Sequence, residues 1–351
     1  MPLPLLVLAA AMSFLLSLGC CELMKHTGVV DAPDGERKLQ ARPVPRLGGI
    51  GVILAIAVMF TLAALIHAFA PAMLGGDWLP GLMPAAGFAL AAALCLAMIG
   101  AVDDVFGMGA VTKLALMALV CVAAPFSGVA IPALTSPFGD LAIPAVMIIG
   151  SALWLLVFSN AANFMDGSNG LSLGCLAIMF TGLGASLLLT GEPTFPAGLV
   201  VIIAAINGFL VHNLRGTLYA GDAGAFGLGG LFAALALIAA LPVWTVATLA
   251  LPFLIDVLLT IILRTRRGEK LFVAHRDHAY QALIKAGWSH IEVAMAWWSL
   301  TAACAVAAYV GAAGGGALPF SLFLLFGAIL TIGWMLIPRK ARDHMARNAD
   351  G

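Results

Sequence analysis

The chain has 351 residues, 62% of them hydrophobic and 10% charged, with a formal net charge of zero and a mean hydropathy of +1.07. A soluble domain carries about 25% charged residues. The composition therefore excludes a water-soluble globular protein and predicts an all-α, polytopic integral membrane protein. Zero net charge says nothing about partners, and no nucleic-acid partner is expected; the six cysteines, all in apolar runs without metal-ligand spacing, read as small core hydrophobes.

Apolar runs of membrane length recur along the chain. They predict about eleven transmembrane helices, near 2–24, 48–70, 82–102, 112–133, 142–160, 171–190, 196–213, 224–241, 243–263, 292–312 and 318–337. The run at 112–133 is the weakest, because Pro125 and Pro132 interrupt or end it. The first run lacks a basic leader segment, which predicts a retained span over a cleaved signal.

All 17 basic residues fall in alternate connections: 25–47, Lys113, Arg215, 264–291 and the tail from Arg339. The positive-inside rule makes that side cytoplasmic, with the N-terminus outside and the C-terminus inside. The outer loops carry Asp77, Asp140 and Glu192. The predicted organisation is one transmembrane catalytic domain, 1–338, followed by a basic cytoplasmic tail, 339–351. Its cytoplasmic loops are 25–47, 103–111, 161–170, 214–223 and 264–291.

Polar clusters interrupt this apolar background on that same side. Residues 31–49, rich in Pro, Gly, Lys and Arg, suit an extended turn, with anionic lipid binding the simpler reading. Asp103 and Asp104 close the third span. Neighbouring carboxylates repel unless a cation intervenes, and at a helix C-terminus they oppose the helix dipole, so the pair points to function.

The stretch Asn160–Gly170, N-A-A-N-F-M-D-G-S-N-G, joins two spans. Amides and a carboxylate at that depth are costly unless they hold a ligand, an ion or one another, although Asn, Asp, Ser and Gly also make ordinary turns. Tyr219–Gly230 reads Y-A-G-D-A-G-A-F-G-L-G-G. Asp222 can cap the eighth span there. The glycines suit either helix packing or the close approach of a phosphate.

Asp256 lies about 12 Å inside the ninth span, where an ionisable group is a functional candidate. His67 and His212, at or near span ends, read as structural. In the loop 264–291, His275, Arg276 and His278 form a basic trio suited to a diphosphate. A zinc site there would need more ligands than Asp277 adds.

Four motifs stand in order on one membrane face: D-D at a span end, N-x-x-N-F-x-D-G-x-x-G-L, G-D-x-G at a span start, and a His/Arg loop. Each alone is weak; together, over about Asp31–His290, they are specific. The set resembles the polyprenyl-phosphate N-acetylhexosamine-1-phosphate transferase family. That family includes the phospho-N-acetylmuramoyl-pentapeptide transferases and the undecaprenyl- and dolichol-phosphate N-acetylglucosamine-1-phosphate transferases.

The resemblance implies transfer of a sugar-1-phosphate from a UDP-N-acetylhexosamine to undecaprenyl phosphate in the membrane, with release of UMP. It implies Mg2+, with Mn2+ as a substitute, on Asp222 with Asn163. Asp103, Asp104 and Asp166 are the implied catalytic acids. Asn160, Asn163, Asn169, Lys113, His275, Arg276 and His278 are the implied substrate contacts. A homodimer is compatible with it.

Two departures matter. Many bacterial members have D-G-x-D-G where this chain has Asp166-Gly167-Ser168-Asn169-Gly170, so Asn169 cannot act as a base. The loop reads H-R-D-H in place of consecutive histidines, which favours O-antigen or exopolysaccharide priming over the peptidoglycan precursor. The rival from another class is a secondary transporter, but that would place ionisable groups near the midplane.

Overall fold

The computed structural model describes residues 2–32, 42–70, 83–191, 194–239, 241–270 and 276–349. Among the described residues twelve helices run α1 Leu3–Met24, α2 Gly48–Phe69, α3 Met83–Phe106, α4 Ala110–Phe126, α5 Pro144–Phe164, α6 Leu171–Leu188, α7 Thr194–Asn213, α8 Gly221–Ile238, α9 Val243–Arg266, α10 Ala279–Lys285, α11 His290–Gly314 and α12 Leu318–Ala349. Ten are long and apolar enough to cross a membrane, so the protein is an all-α polytopic membrane protein. Two short strands, β1 (Val30–Asp31) and β2 (Val44–Pro45), pair antiparallel between α1 and α2.

The eleventh expected span is corrected in length. In place of a helix over 112–133, α4 has 17 residues and ends at Phe126, with Pro125 in its last turn. An irregular segment with a Leu134–Leu141 bridge follows. At 1.5 Å per residue α4 reaches about 25 Å. It still carries the chain across the layer, because α3 and α5 both end at the same site, through Asp103 and Asn163. Helix α12 runs on beyond the last expected span, through the tail from Arg339 to Ala349.

Burial orders the bundle. In the spanning windows of α6 and α8, 78% and 83% of residues are buried, against 11% for α1 and 6% for the spanning part of α12. Helices α6 and α8 are therefore central, and α1 and α12 face lipid. Small residues let α8 occupy the middle, as expected where packing replaces the hydrophobic effect between helices. Gly224 lies against Gly49, Gly227 against Ala97, Gly229 against Ala162 and Gly230 against Leu96. These four glycines of the G-D-x-G segment thus serve helix packing. An aromatic cluster of Phe158, Phe180, Phe232 and Phe253 fills the space beside them.

The ends of α3 and α5 and the starts of α2, α4 and α8 meet at one face of the bundle. At that face the segment 45–49 zips onto the lead-in to α8: Tyr219 N–H donates to Pro45 O (2.8 Å), Gly48 N–H to Tyr219 O (2.9 Å) and Gly49 N–H to Ala220 O (2.8 Å).

Candidate active site

Asp103 and Asp104 are neighbours in the last turn of α3, so their side chains leave the helix about 100° apart. They do different jobs. Asp104 is buried and turns to α8, where it accepts from the backbone N–H of Asp222 (3.1 Å) and Ala223 (3.0 Å). Its Oδ1 also accepts from Arg46 Nε at 2.9 Å, and from a second guanidinium nitrogen of Arg46. Asp104 is thus the N-terminal cap of α8, supplied from another helix. Asp222, expected from sequence to cap α8, lies in its first turn and is itself positioned by Asp104.

Asp103 turns toward α4. Its Oδ1 accepts from Met108 N–H (2.6 Å) and its Oδ2 from Lys113 Nζ (2.8 Å). The same ammonium donates to Asp222 Oδ2 at 2.7 Å and lies 5.4 Å from the Phe226 ring centroid. Asp222 Oδ1 accepts from Asn163 Nδ2 at 2.9 Å. Lys113 is therefore the cation that allows two acids, from α3 and α8, to share one place.

Asp166 follows α5 and is half-buried. Burial, and then the charges of Asp222 and Asp104, hold its carboxyl well above the usual carboxylate range. Asp103 and Asp222 meet on Lys113, and Asp166 follows in the chain three residues after Asn163, whose amide donates to Asp222.

The turn bearing Asn163 and Asp166 is held from several sides. Gly170, at φ 77°, donates its N–H to Asn213 Oδ1 (2.6 Å) and accepts from Trp298 Nε1 (2.9 Å). Tyr280 Oη donates to Phe164 O at 3.0 Å. Ser168 Oγ and His290 Nδ1 are 2.9 Å apart.

The remaining predicted residues are less central. Asn160 Nδ2 donates back to Leu156 O at 2.8 Å, within its own helix. The Asn169 amide lies against Gly216. Arg276 is half-buried. His278 is buried, its ring stacked between Phe164 and Tyr280 at centroid distances of 6.0 and 5.8 Å, with Asp256 3.5 Å away. It walls the site instead of opening into it. His275, Asp77 and Glu192 lie outside the described residues. His212 is structural, as expected: it is buried and contacts Leu18 O at 3.2 Å.

Arg46, Gly100 and Asn213 were not among the predicted site residues. Arg46 reads in sequence as one of many loop cations. Gly100, one turn before Asp104, lies on the backbone of Asp222 and Ala223, with no room for a Cβ. Gly100→Val is expected to cost about 1–3 kcal/mol through overpacking and to displace Asp222, lowering both the detergent melting temperature and the catalytic rate.

The apolar bundle thus holds a lysine between two acids from different helices at one of its ends. Residues 86–240 match the model of glycosyl transferase family 4. The chain is 31% identical over 304 residues to a decaprenyl-phosphate N-acetylglucosaminephosphotransferase of Mycobacterium tuberculosis, covering 78% of this chain and 73% of that protein. The corresponding Mycobacterium leprae protein is 30% identical over 291 residues, covering 74% and 71%. A phospho-N-acetylmuramoyl-pentapeptide-transferase of a Synechococcus strain is 33% identical over 162 residues, covering 43% and 46%. The chain belongs to this family of polyprenyl-phosphate sugar-phosphate transferases.

The family implies a divalent metal. Among the described residues no group of three or more His, Cys, Asp or Glu is preassembled around a common point. The hard oxygens on hand are those of the Asp222 carboxylate and of the Asn163 amide beside it. Mg2+ takes one or two protein carboxylates and completes its shell with phosphate and water, so the residues fit it.

Proposed function

We propose that the protein transfers an N-acetylhexosamine-1-phosphate from a UDP-sugar to undecaprenyl phosphate, releasing UMP, at the cytoplasmic face of a bacterial inner membrane. The product would initiate lipid-linked O-antigen or exopolysaccharide synthesis. The observation that carries this reading is Lys113 bridging Asp103 and Asp222, at 2.8 and 2.7 Å, at the end of the bundle. An apolar acceptor tail stays in the bilayer while its phosphate meets a soluble donor there. The positive-inside reading supports the cytoplasmic side, because every described Lys and Arg lies in a connection or at a helix end on the site's face, or in the C-terminal tail.

The reaction joins two anions. A lipid-phosphate oxygen forms a bond to the β-phosphorus of the donor, and the bond from that phosphorus to the UMP oxygen breaks. The chain's own part is charge placement. Lys113 moves its contact from Asp103 to the incoming phosphate, which frees Asp103 to take the phosphate's proton or to orient it. Arg276, with His275, offers positive charge to the donor diphosphate, and Asn163 and Asp166 flank it. Asp222, with Asn163, would hold Mg2+, which when bound supplies charge neutralisation for the diphosphate and the departing UMP.

The direct test incubates purified protein with undecaprenyl phosphate and a panel of UDP-N-acetylhexosamines, N-acetylglucosamine first, and measures UMP. Release that depends on the lipid phosphate supports the proposal; no release with any donor overturns it. Chelation with EDTA is expected to stop UMP release, and added Mg2+ to restore it. Undiminished turnover after chelation would contradict the metal's role. The departure of the H-R-D-H loop from consecutive histidines supports a donor other than the peptidoglycan precursor.

A further inference from the structure

Asp256 is the one charged side chain within the apolar stretch of α9, about 12 Å before Arg264. It is 2% exposed. A carboxyl in such a place is retained only where it is used. Its Oδ1 gathers donors from three other places: Ala279 N–H at 2.9 Å, Trp334 Nε1 at 3.0 Å and Thr260 Oγ1 at 3.4 Å. Ala279 is the first residue of α10, a helix of seven residues. Helices this short are not stable by themselves and depend on what holds their ends. Asp256 caps α10 from α9 much as Asp104 caps α8 from α3.

From α10 the contacts lead to the site. Ala279 stands between His278 and Tyr280. His278 Nδ1 is 3.5 Å from Asp256, and its ring is sandwiched by Phe164 and Tyr280. Tyr280 is buried, and its hydroxyl donates to Phe164 O at 3.0 Å. Gly167 lies so close to that hydroxyl that a side chain there would displace it. Phe164 and Gly167 lie beside Asn163 and Asp166. A second anchor holds the near end of the loop: buried Arg264 pairs with Asp277 and with Glu269 (2.7 Å) and donates to Lys270 O at 2.9 Å.

We infer that Asp256 is a positioning residue: by seating α10 against α9 and α12, it fixes the 163–167 turn that presents Asn163 and Asp166 to the donor. The part concerning the donor rests on the proposed function; the seating of α10 does not.

The test compares Asp256→Ala with Asp256→Asn in purified full-length protein, reading amide hydrogen exchange over 279–284 and the KM for each substrate. Asparagine keeps an acceptor oxygen for Ala279; alanine does not. Asp256→Ala is expected to raise exchange across α10 and to raise the donor KM about tenfold, while the KM for undecaprenyl phosphate stays within about twofold. Asp256→Asn is expected to stay within about twofold of the parent in both. Unchanged exchange in Asp256→Ala overturns the inference, as does faster exchange with an unchanged donor KM, or an Asn variant as impaired as the Ala variant. If the alanine variant does not fold, Ala279→Pro decides, since it deletes the same N–H at a helix position that favours proline. Exchange is read without substrate, so an inactive parent would sink the proposed reaction and leave the seating of α10 to be judged alone.

Discussion

Replacing Asp222 with alanine is expected to lower sugar-phosphate transfer by about 10³-fold or more while the protein still inserts and folds. The carboxylate accepts from Lys113 on one oxygen and from Asn163 on the other, so one deletion removes the shared contact of α4, α5 and α8. Stability is expected to change by no more than about 1 kcal/mol. The cap of α8 belongs to Asp104 and survives, and the loss of one of several clustered acids relieves repulsion with Asp103, Asp104 and Asp166. Asp103→Asn is expected to behave similarly, because it weakens the second hold on Lys113. Initial rates of UMP release and detergent melting curves on the same preparations check both statements. A rate near the parent's in either variant refutes the assignment.

Much of this site was legible because ionisable residues are conspicuous in an apolar chain. Asp103, Asn163, Asp166 and Asp222 stand out at span ends, and alternation of the spans places them on one face. What sequence could not divide was Asp103 from Asp104. Their difference arises from a rotation of about 100°, which turns one toward Lys113 and the other into the start of α8. Arg46 reads in sequence with the lipid-binding cations of its loop, since nothing local distinguishes a guanidinium that crosses to another helix. His278 reads in sequence as part of a basic trio suited to a diphosphate, but its ring is stacked against Tyr280, two residues on, and against Phe164, a residue far away in the chain. Gly100 carried a faint signal, a glycine one turn before the acids. Its partner, the backbone of Asp222, becomes visible only once α3 and α8 are packed together. The end of α4 at Phe126 follows from Pro125, which sequence did flag.

Asp104→Ala is expected to be the most destabilising single change at the site. The Asp104 side chain is fully buried and Arg46 is 27% exposed. Breaking a buried pair by removing one partner costs about 3–5 kcal/mol; the lower end applies, because Arg46 can turn to solvent. The loss also strands the N–H groups of Asp222 and Ala223 beneath the segment 45–49. Without a cap the first turn of α8 frays and carries Asp222 away from Lys113, so transfer falls about a hundredfold or more together with stability. Asp104→Asn keeps an acceptor for the helix but loses the charge facing Arg46, and is expected to recover most of the melting temperature and part of the rate. In a double-mutant cycle with Arg46→Met, the pair is expected to couple by about 2 kcal/mol, while Arg46 and Asp222, which share no hydrogen bond, couple far less. The contrast with Asp222 is the decisive measurement: Asp222→Ala should remove catalysis at nearly full stability, and Asp104→Ala should remove both. An Asp104→Asn protein that melts like the parent yet turns over no substrate would move Asp104 from brace to reactant, since a cap needs only an acceptor oxygen whereas chemistry on the phosphate needs the acid itself.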